Sequence, residues 1–272
     1  MRMRNNTGSL PTGGGSGSLL SSECVRRSCE FDSRCLDERL APDACIPPVS
    51  CIVLTGNNVT IRNGSIILPH GCLMLLERGT MTLQSCDIIG TGVRCRSSRS
   101  LPLVYVLEAS VTMRECRISR SDGHGIGVGS TASLAMERCT VRDHATCGIV
   151  VRGAASSIDL EDCCLESNGQ DGVAVSDGAL ARVNNCMLSR NGMLGLGVSA
   201  AAKAFLTGCT IDRNGTHGLA AHAAASLNAS SCSISYCEAA VLALDPATVV
   251  HATGCVLFKN EQGLHIRDGA QV

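Results

Sequence analysis

Three acidic residues, Glu137, Asp159 and Glu161, are the best enzymatic candidates in this chain. They stand at outward positions of short alternating runs, Leu134-Ala-Met136-Glu137 and Ile158-Asp-Leu160-Glu161, so neighbouring strands would present them together. Carboxylates placed that way could serve as paired acid and base or could hold a calcium ion. Charge alternation argues for a plainer role. Arg114 heads the column of Glu137 and Glu161, and Arg182 follows Asp159, a pattern expected to form solvated ion pairs worth little. A second set, His124, Cys147 and Asp171, recurs at one repeat position. Its order is wrong for catalysis, because a working triad needs the histidine between nucleophile and acid, and here the cysteine lies in the middle. Arg120, Arg190, Arg213 and Lys259 share a further position as a basic stripe that could hold a polyanion. Asp143 and Ser167 interrupt it, and no aromatic is expected beside it.

All of these positions are set by an internal repeat. Cys116, Cys139, Cys163, Cys186, Cys209, Cys232 and Cys255 are each followed two residues later by an aliphatic, at intervals of 23 or 24 residues. Cys86 with Ile88 is an earlier copy, displaced by an insertion around Arg94 to Pro102, and Gly64 with Ile66 marks a first coil. Apolar residues alternate with period two in Leu134/Met136, Ile158/Leu160 and Ala204/Leu206, and again after a glycine in Gly125-Ile126-Gly-Val128 and Gly172-Val173-Ala-Val175. Period two means strand, so each repeat holds about three short strands separated by tight turns. Five residues after the cysteine come Asn168, Asn191, Asn214 and, after a break at Cys237, Asn260. Equivalent residues of stacked coils lie about 4.8 Å apart, so these amides are expected to bond along the stack as a ladder.

The chain has 18 cysteines. The ladder members Cys86 to Cys255 point inward beside an aliphatic, where a thiol serves as a small buried hydrophobe. Parallel Cβ vectors about 4.8 Å apart suit disulfides poorly, so reduced thiols and an intracellular, cytoplasmic setting are expected. No C-x2-C pair occurs, and one column cannot wrap a tetrahedral ion, so no metal or cofactor is expected. A net charge of -1 gives no drive toward nucleic acid or anionic membrane, and no apolar run is long enough to span a bilayer. Aromatic residues are only 2% of the chain, which lowers expectation of sugar or base stacking.

The expected fold is all-β, a right-handed single-stranded parallel β-helix of about eight to nine coils spanning 51–272. Residues 1–22 read as a Gly/Ser-rich tail. Residues 23–50 read as a cysteine-containing segment whose short helix, Ser33 to Leu40, stops at Pro42 and caps the first coil. No cap is apparent at Gly269-Ala270-Gln271-Val272. The Asn ladder, the G-[IVL]-x-V strand and the C-x-[IVL] strand resemble the right-handed β-helix repeats of pectin-lyase-like proteins. That superfamily includes polysaccharide lyases, hydrolases and epimerases, NosD-type proteins and the β-helix domains of F-box proteins, so the resemblance implies fold more strongly than activity. Gly123-His124-Gly125 matches the GHG element of polygalacturonases, but the N-T-D, D-D and R-I-K motifs that accompany it there are missing.

In the post-glycine strand the outward residues read as Gly127, Val150, Ala174, Gly197, Ala220 and Ala243, a smooth strip without acid or base. Such a strip suits close approach of another chain. The expected function is therefore a non-catalytic recognition or scaffold module for a protein partner or a second copy. The alternative is a carbohydrate-active enzyme with Glu137, Asp159 and Glu161 as its site and a polysaccharide as its partner.

Overall fold

A computed structural model describes residues 25–28, 51–68, 73–91 and 101–272. Every regular element among them is a β-strand, and from Cys51 onward neighbouring strands pair in parallel. The strands form three stacks that climb as a right-handed solenoid of about nine turns. The first stack runs from Cys51–Thr55 to Gln262–Ile266 and the second from Val59–Arg62 to Val249–Thr253. The third runs from Ser65–Leu68 to Val256–Phe258. In the early coils two long strands, Leu73–Gln84 and Val104–Arg114, pass through the first and second stacks without a break.

The alternation read from sequence is the burial pattern observed. In Ser157–Glu161 the apolar Ile158 and Leu160 are buried while Asp159 is exposed, and Leu180–Asn184 repeats this. Inward side chains of all three stacks form one continuous core along the axis. A residue with left-handed φ makes the corner before each ladder cysteine. Ser85, Glu115, Arg138, Asp162, Asn185 and Ser231 all lie between 51° and 54°. A left-handed conformation costs a non-glycine residue roughly 1 kcal/mol. Here it turns the chain sharply while the N–H still bonds the next coil, as Asp162 does to the Asn184 carbonyl at 3.1 Å.

The cysteine and asparagine columns form as expected. Cys86, Cys116, Cys139, Cys163, Cys186, Cys209, Cys232 and Cys255 are all free thiols. Each donates to a backbone carbonyl, as Cys139 does to Met113 at 3.4 Å, and some accept a neighbour's N–H, as Cys186 does from Cys163 at 3.3 Å. Asn168 donates from its N–H and its Nδ2 to Asn191 Oδ1 at 3.2 and 3.0 Å, and Asn191 repeats this to Asn214 at 3.1 Å for both bonds. Asn260 accepts from the Cys237 N–H at 3.0 Å. The glycine opening each first-stack strand makes room for this ladder. A Cβ on Gly172 would lie 2.9 Å from Asn191 Nδ2 and 2.7 Å from the Gly195 carbonyl oxygen.

The asparagine column extends further than its asparagines. His144 occupies the coil before Asn168, and Ser121 the one before that. The Ser121 N–H donates to His144 Nδ1 at 3.1 Å, and the His144 N–H donates to Asn168 Oδ1 at 3.3 Å. At the head, strand Val25–Ser28 pairs antiparallel with Cys51–Thr55 and covers that edge. The expected helix Ser33 to Leu40, the tail 1–22 and Cys24, Cys29, Cys35 and Cys45 lie outside the described residues.

Candidate functional site

The outer face of the second stack is where the three carboxylates come together. Arg114, Glu137, Glu161 and Asn184 follow one another in one column, and Thr112, Ala135, Asp159, Arg182 and Phe205 in the column two residues back. Between them lies a shallow cleft of about 240 Å³ lined by Thr112, Arg114, Glu137, Asp159, Glu161 and Asn184, with Ala135, Met136 and Leu160 at its floor. Its charges are paired. Arg114 Nε lies 3.1 Å from Glu137, which also meets Arg138, and Arg182 lies 3.6 Å from Asp159. Glu161 accepts from an amide, Asn185 Nδ2 at 3.3 Å. The column order expected from sequence is therefore the order observed.

The same face carries groups that sequence reasoning did not connect to the site. Phe205 follows Arg182 in register and is 41% exposed, and Asn228 and His251 continue the column. Their signal was present, since Asp159, Arg182, Phe205, Asn228 and His251 recur at the repeat interval. A groove poor in charge and aromatic groups was expected; the observed face combines three carboxylates, two guanidinium groups, amides and one aromatic ring.

His124, Cys147 and Asp171 do line up in one column, with Cys147 between the other two. Cys147 Sγ lies 3.9 Å from Asp171 Oδ2 and 3.7 Å from Gln170 Oε1. His124 Nδ1 faces the Thr146 hydroxyl at 2.7 Å and the Cys147 N–H at 3.3 Å, not the thiol. Burial, reinforced by the Asp171 carboxylate, pushes the Cys147 thiol up to about 11, and burial with Arg152 nearby pushes His124 down to about 4. Burial also raises the Asp171 carboxyl. At neutral pH this column holds a protonated thiol and a neutral imidazole, the reverse of an activated thiolate pair.

The first-stack strip needs one correction. Ala220 pairs in register with Leu242, and Ala243 pairs with Ala221 in the inward, fully buried column. The count slipped because the turn before Ala239 is one residue shorter than in the preceding coils, so Leu242 is the outward residue. Gly127, Val150 and Ala220 are buried, while Ala174 and Gly197 are half-buried. At two positions the chain's own side chains take the space: a Cβ on Gly127 would lie 2.8 Å from Tyr105 and 2.9 Å from Pro102, and one on Gly197 would lie 2.9 Å from Leu194. Small residues there have a reason internal to the chain. Past Gly197, the Nδ1 atoms of His217 and His265 are buried and have no hydrogen-bond partner.

The basic stripe also differs from expectation. Tyr236 occupies the stripe itself, with the Arg213 guanidinium 4.6 Å from its ring centre, Lys259 Nζ 2.8 Å from its hydroxyl, and Phe258 packed edge-on at 6.1 Å. Arg190 and Arg213 pair with Glu166 and Asp212. Among the described residues no cluster of three or more His, Cys, Asp or Glu could hold a metal ion, and no helix is long and apolar enough to cross a membrane.

Parallel coils, a stacked amide ladder and a cysteine column define a β-solenoid of the pectin-lyase-like type. The family model for the right-handed β-helix region matches residues 50–164 and 124–272, and the chain belongs to that family. Its fold is similar to the enzymatically active domain of tailspike protein 2 of bacteriophage CBA120, with a TM-score of 0.58 and 8% identity over 77% of this chain and 38% of that one. This chain thus matches well under half the length of the tailspike chain. It is also similar to a variant of the periplasmic alginate epimerase AlgG, with a TM-score of 0.48 and 10% identity over 81% of this chain and 74% of that one. A third similar structure is the A-module of the mannuronan C-5 epimerase AlgE4 of Azotobacter vinelandii, with a TM-score of 0.40 and 10% identity over 82% and 91% of the two chains. At such identities the likeness is one of fold. No curated protein matches the sequence.

Proposed function

We propose that this chain is a carbohydrate-active β-helix protein that takes an extended polysaccharide along the outer face of its second stack. The observation that carries the reading is the composition of that face: a cleft bearing Arg114, Glu137, Asp159, Glu161 and Asn184, continued by Arg182 and the exposed ring of Phe205. Sugar hydroxyls both donate and accept, so a mixed row of carboxylates, guanidinium groups and amides can bond them in sequence. A flat aromatic face supplies apolar contact for the ring carbons. Successive coils repeat about every 4.8 Å, so Asp159 and Phe205, two coils apart, span about 10 Å along the axis. Glu161 is assigned as acid or base because its neighbour is an amide, which leaves it able to exchange a proton with a bound sugar.

The test is binding and turnover with a panel of uronic-acid and neutral polysaccharides, with and without calcium. We expect saturable binding that Phe205→Ala weakens about tenfold, corresponding to loss of one stacking contact of about 1.4 kcal/mol. Product formation that disappears in Glu161→Gln marks an enzyme, whereas binding without turnover marks a recognition module. Absence of binding to every polymer in the panel would sink the proposal. The protein-recognition reading retains one specific observation in its favour, the apolar end of the solenoid.

A further inference from the structure

We propose that the tail end of the solenoid is a self-association surface, on which two copies of this chain meet tail to tail by antiparallel pairing of their Gln262–Ile266 strands. Five of the ten large exposed apolar side chains among the described residues, Val256, Phe258, Leu264, Ile266 and Val272, lie beyond residue 255, so exposure is concentrated at this end. Two of them belong to core columns. Leu264 stands over Val241 and Ile266 over Ala243, both buried, yet each is itself 47% exposed. Gln262–Ile266 pairs on one side only, with Ala239–Ala243, so its other edge offers backbone donors and acceptors to an incoming strand.

The chemistry around that strand is self-complementary. In an antiparallel pair centred on Leu264, the two Leu264 side chains face each other. Glu261 of each copy stands opposite Arg267 of the other, which gives two ion pairs by symmetry. Gly263 stands opposite His265, so each imidazole meets the one residue with no side chain to obstruct it. Glu261 and Arg267 are both exposed in the single chain and available for this exchange. A surface that matches itself about a two-fold axis closes as a dimer and does not propagate. Head-to-tail stacking is disfavoured because the head edge is covered by Val25–Ser28, which runs antiparallel to Cys51–Thr55 and breaks the parallel register.

The experiment is sedimentation velocity on the 272-residue chain across the micromolar range, for the parent, Glu261→Arg, Arg267→Glu and the double exchange. Each single reversal sets like charges opposite each other twice and should weaken the dimer about tenfold or more, and the double exchange should restore it. All four substitutions are at exposed positions, so circular dichroism should show the same fold throughout. A parent that stays monomeric overturns the proposal. So does a dimer indifferent to the single reversals, one not recovered by the double exchange, or a parent that forms open-ended polymers.

Discussion

His144 makes the stability of this solenoid depend on pH in a way that one substitution should remove. The ring is 2% exposed, accepts the Ser121 N–H at Nδ1, and lies with Nε2 3.2 Å from the Ile118 carbonyl oxygen. These contacts require a neutral imidazole with its proton on Nε2. Burial pushes the folded pKa down from 6.5 to about 4, against the bond to Ile118, which acts in the opposite direction. Between those values the unfolded chain binds the extra proton and the folded chain does not, so stability is complete above the unfolded pKa and falls as the pH drops through this window. The full shift corresponds to about 3 kcal/mol, of which about 2 kcal/mol is lost between pH 7 and pH 5. His124, lowered to about 4 as well, adds a similar loss, while Asp171, whose carboxyl is raised, gains stability as it protonates. Asparagine at 144 isolates the first contribution. It would accept from Ser121 and donate to Ile118, as Asn168 donates to the Val141 carbonyl. Urea denaturation of parent and His144→Asn at pH 7 and pH 5 measures the difference. The variant should lie within about 1 kcal/mol of the parent at pH 7 and lose about 2 kcal/mol less on acidification. Equal losses in the two proteins would show that His144 is not held neutral by the ladder.

Three further outcomes follow from the same geometry. Asn191→Ala should cost about 2–4 kcal/mol in urea denaturation, because it strands the buried Asn168 amide and the Leu165 carbonyl that Asn191 Nδ2 reaches at 3.2 Å; a cost below about 1 kcal/mol would mean that water replaces the ladder. Gly192→Ala should prevent folding or open the corner locally, since its Cβ would lie 2.2 Å from the Gly169 carbonyl oxygen, and unchanged thermal unfolding would contradict the close approach. Alkylation of the unfolded, unreduced protein, followed by mass measurement, should label every ladder cysteine from Cys86 to Cys255; protection of most of them would show bridging that the stacked thiols do not support.

The repeat alone determined the architecture, for a physical reason. A period of 23 residues forces each coil onto the one before, and stacking turns every recurrent residue into a column, so Cys116 to Cys255 and Asn168 to Asn214 were legible as ladders from their intervals. The carboxylate columns were legible too, because the register Arg114, Glu137, Glu161 follows from counting. Counting fails where the interval changes. The short turn before Ala239 shifted the strand by one residue, and with a side-chain period of two that exchanged Leu242 for Ala243 on the outer face. Chemical resemblance fails at a ladder position filled by another residue type: His144 continues the asparagine column because a neutral imidazole offers the same acceptor and donor, and only the hydrogen-bond geometry shows it. The tertiary structure alone decided which side chains share a face and what covers them. Phe205 gains its place beside Arg182 from strand pairing, and the outward Gly127 is filled by Tyr105 and Pro102 from the preceding coil. Burial and partner identity are properties of the packed stack, and they set the protonation of His124 and Cys147, which residue types by themselves leave undetermined.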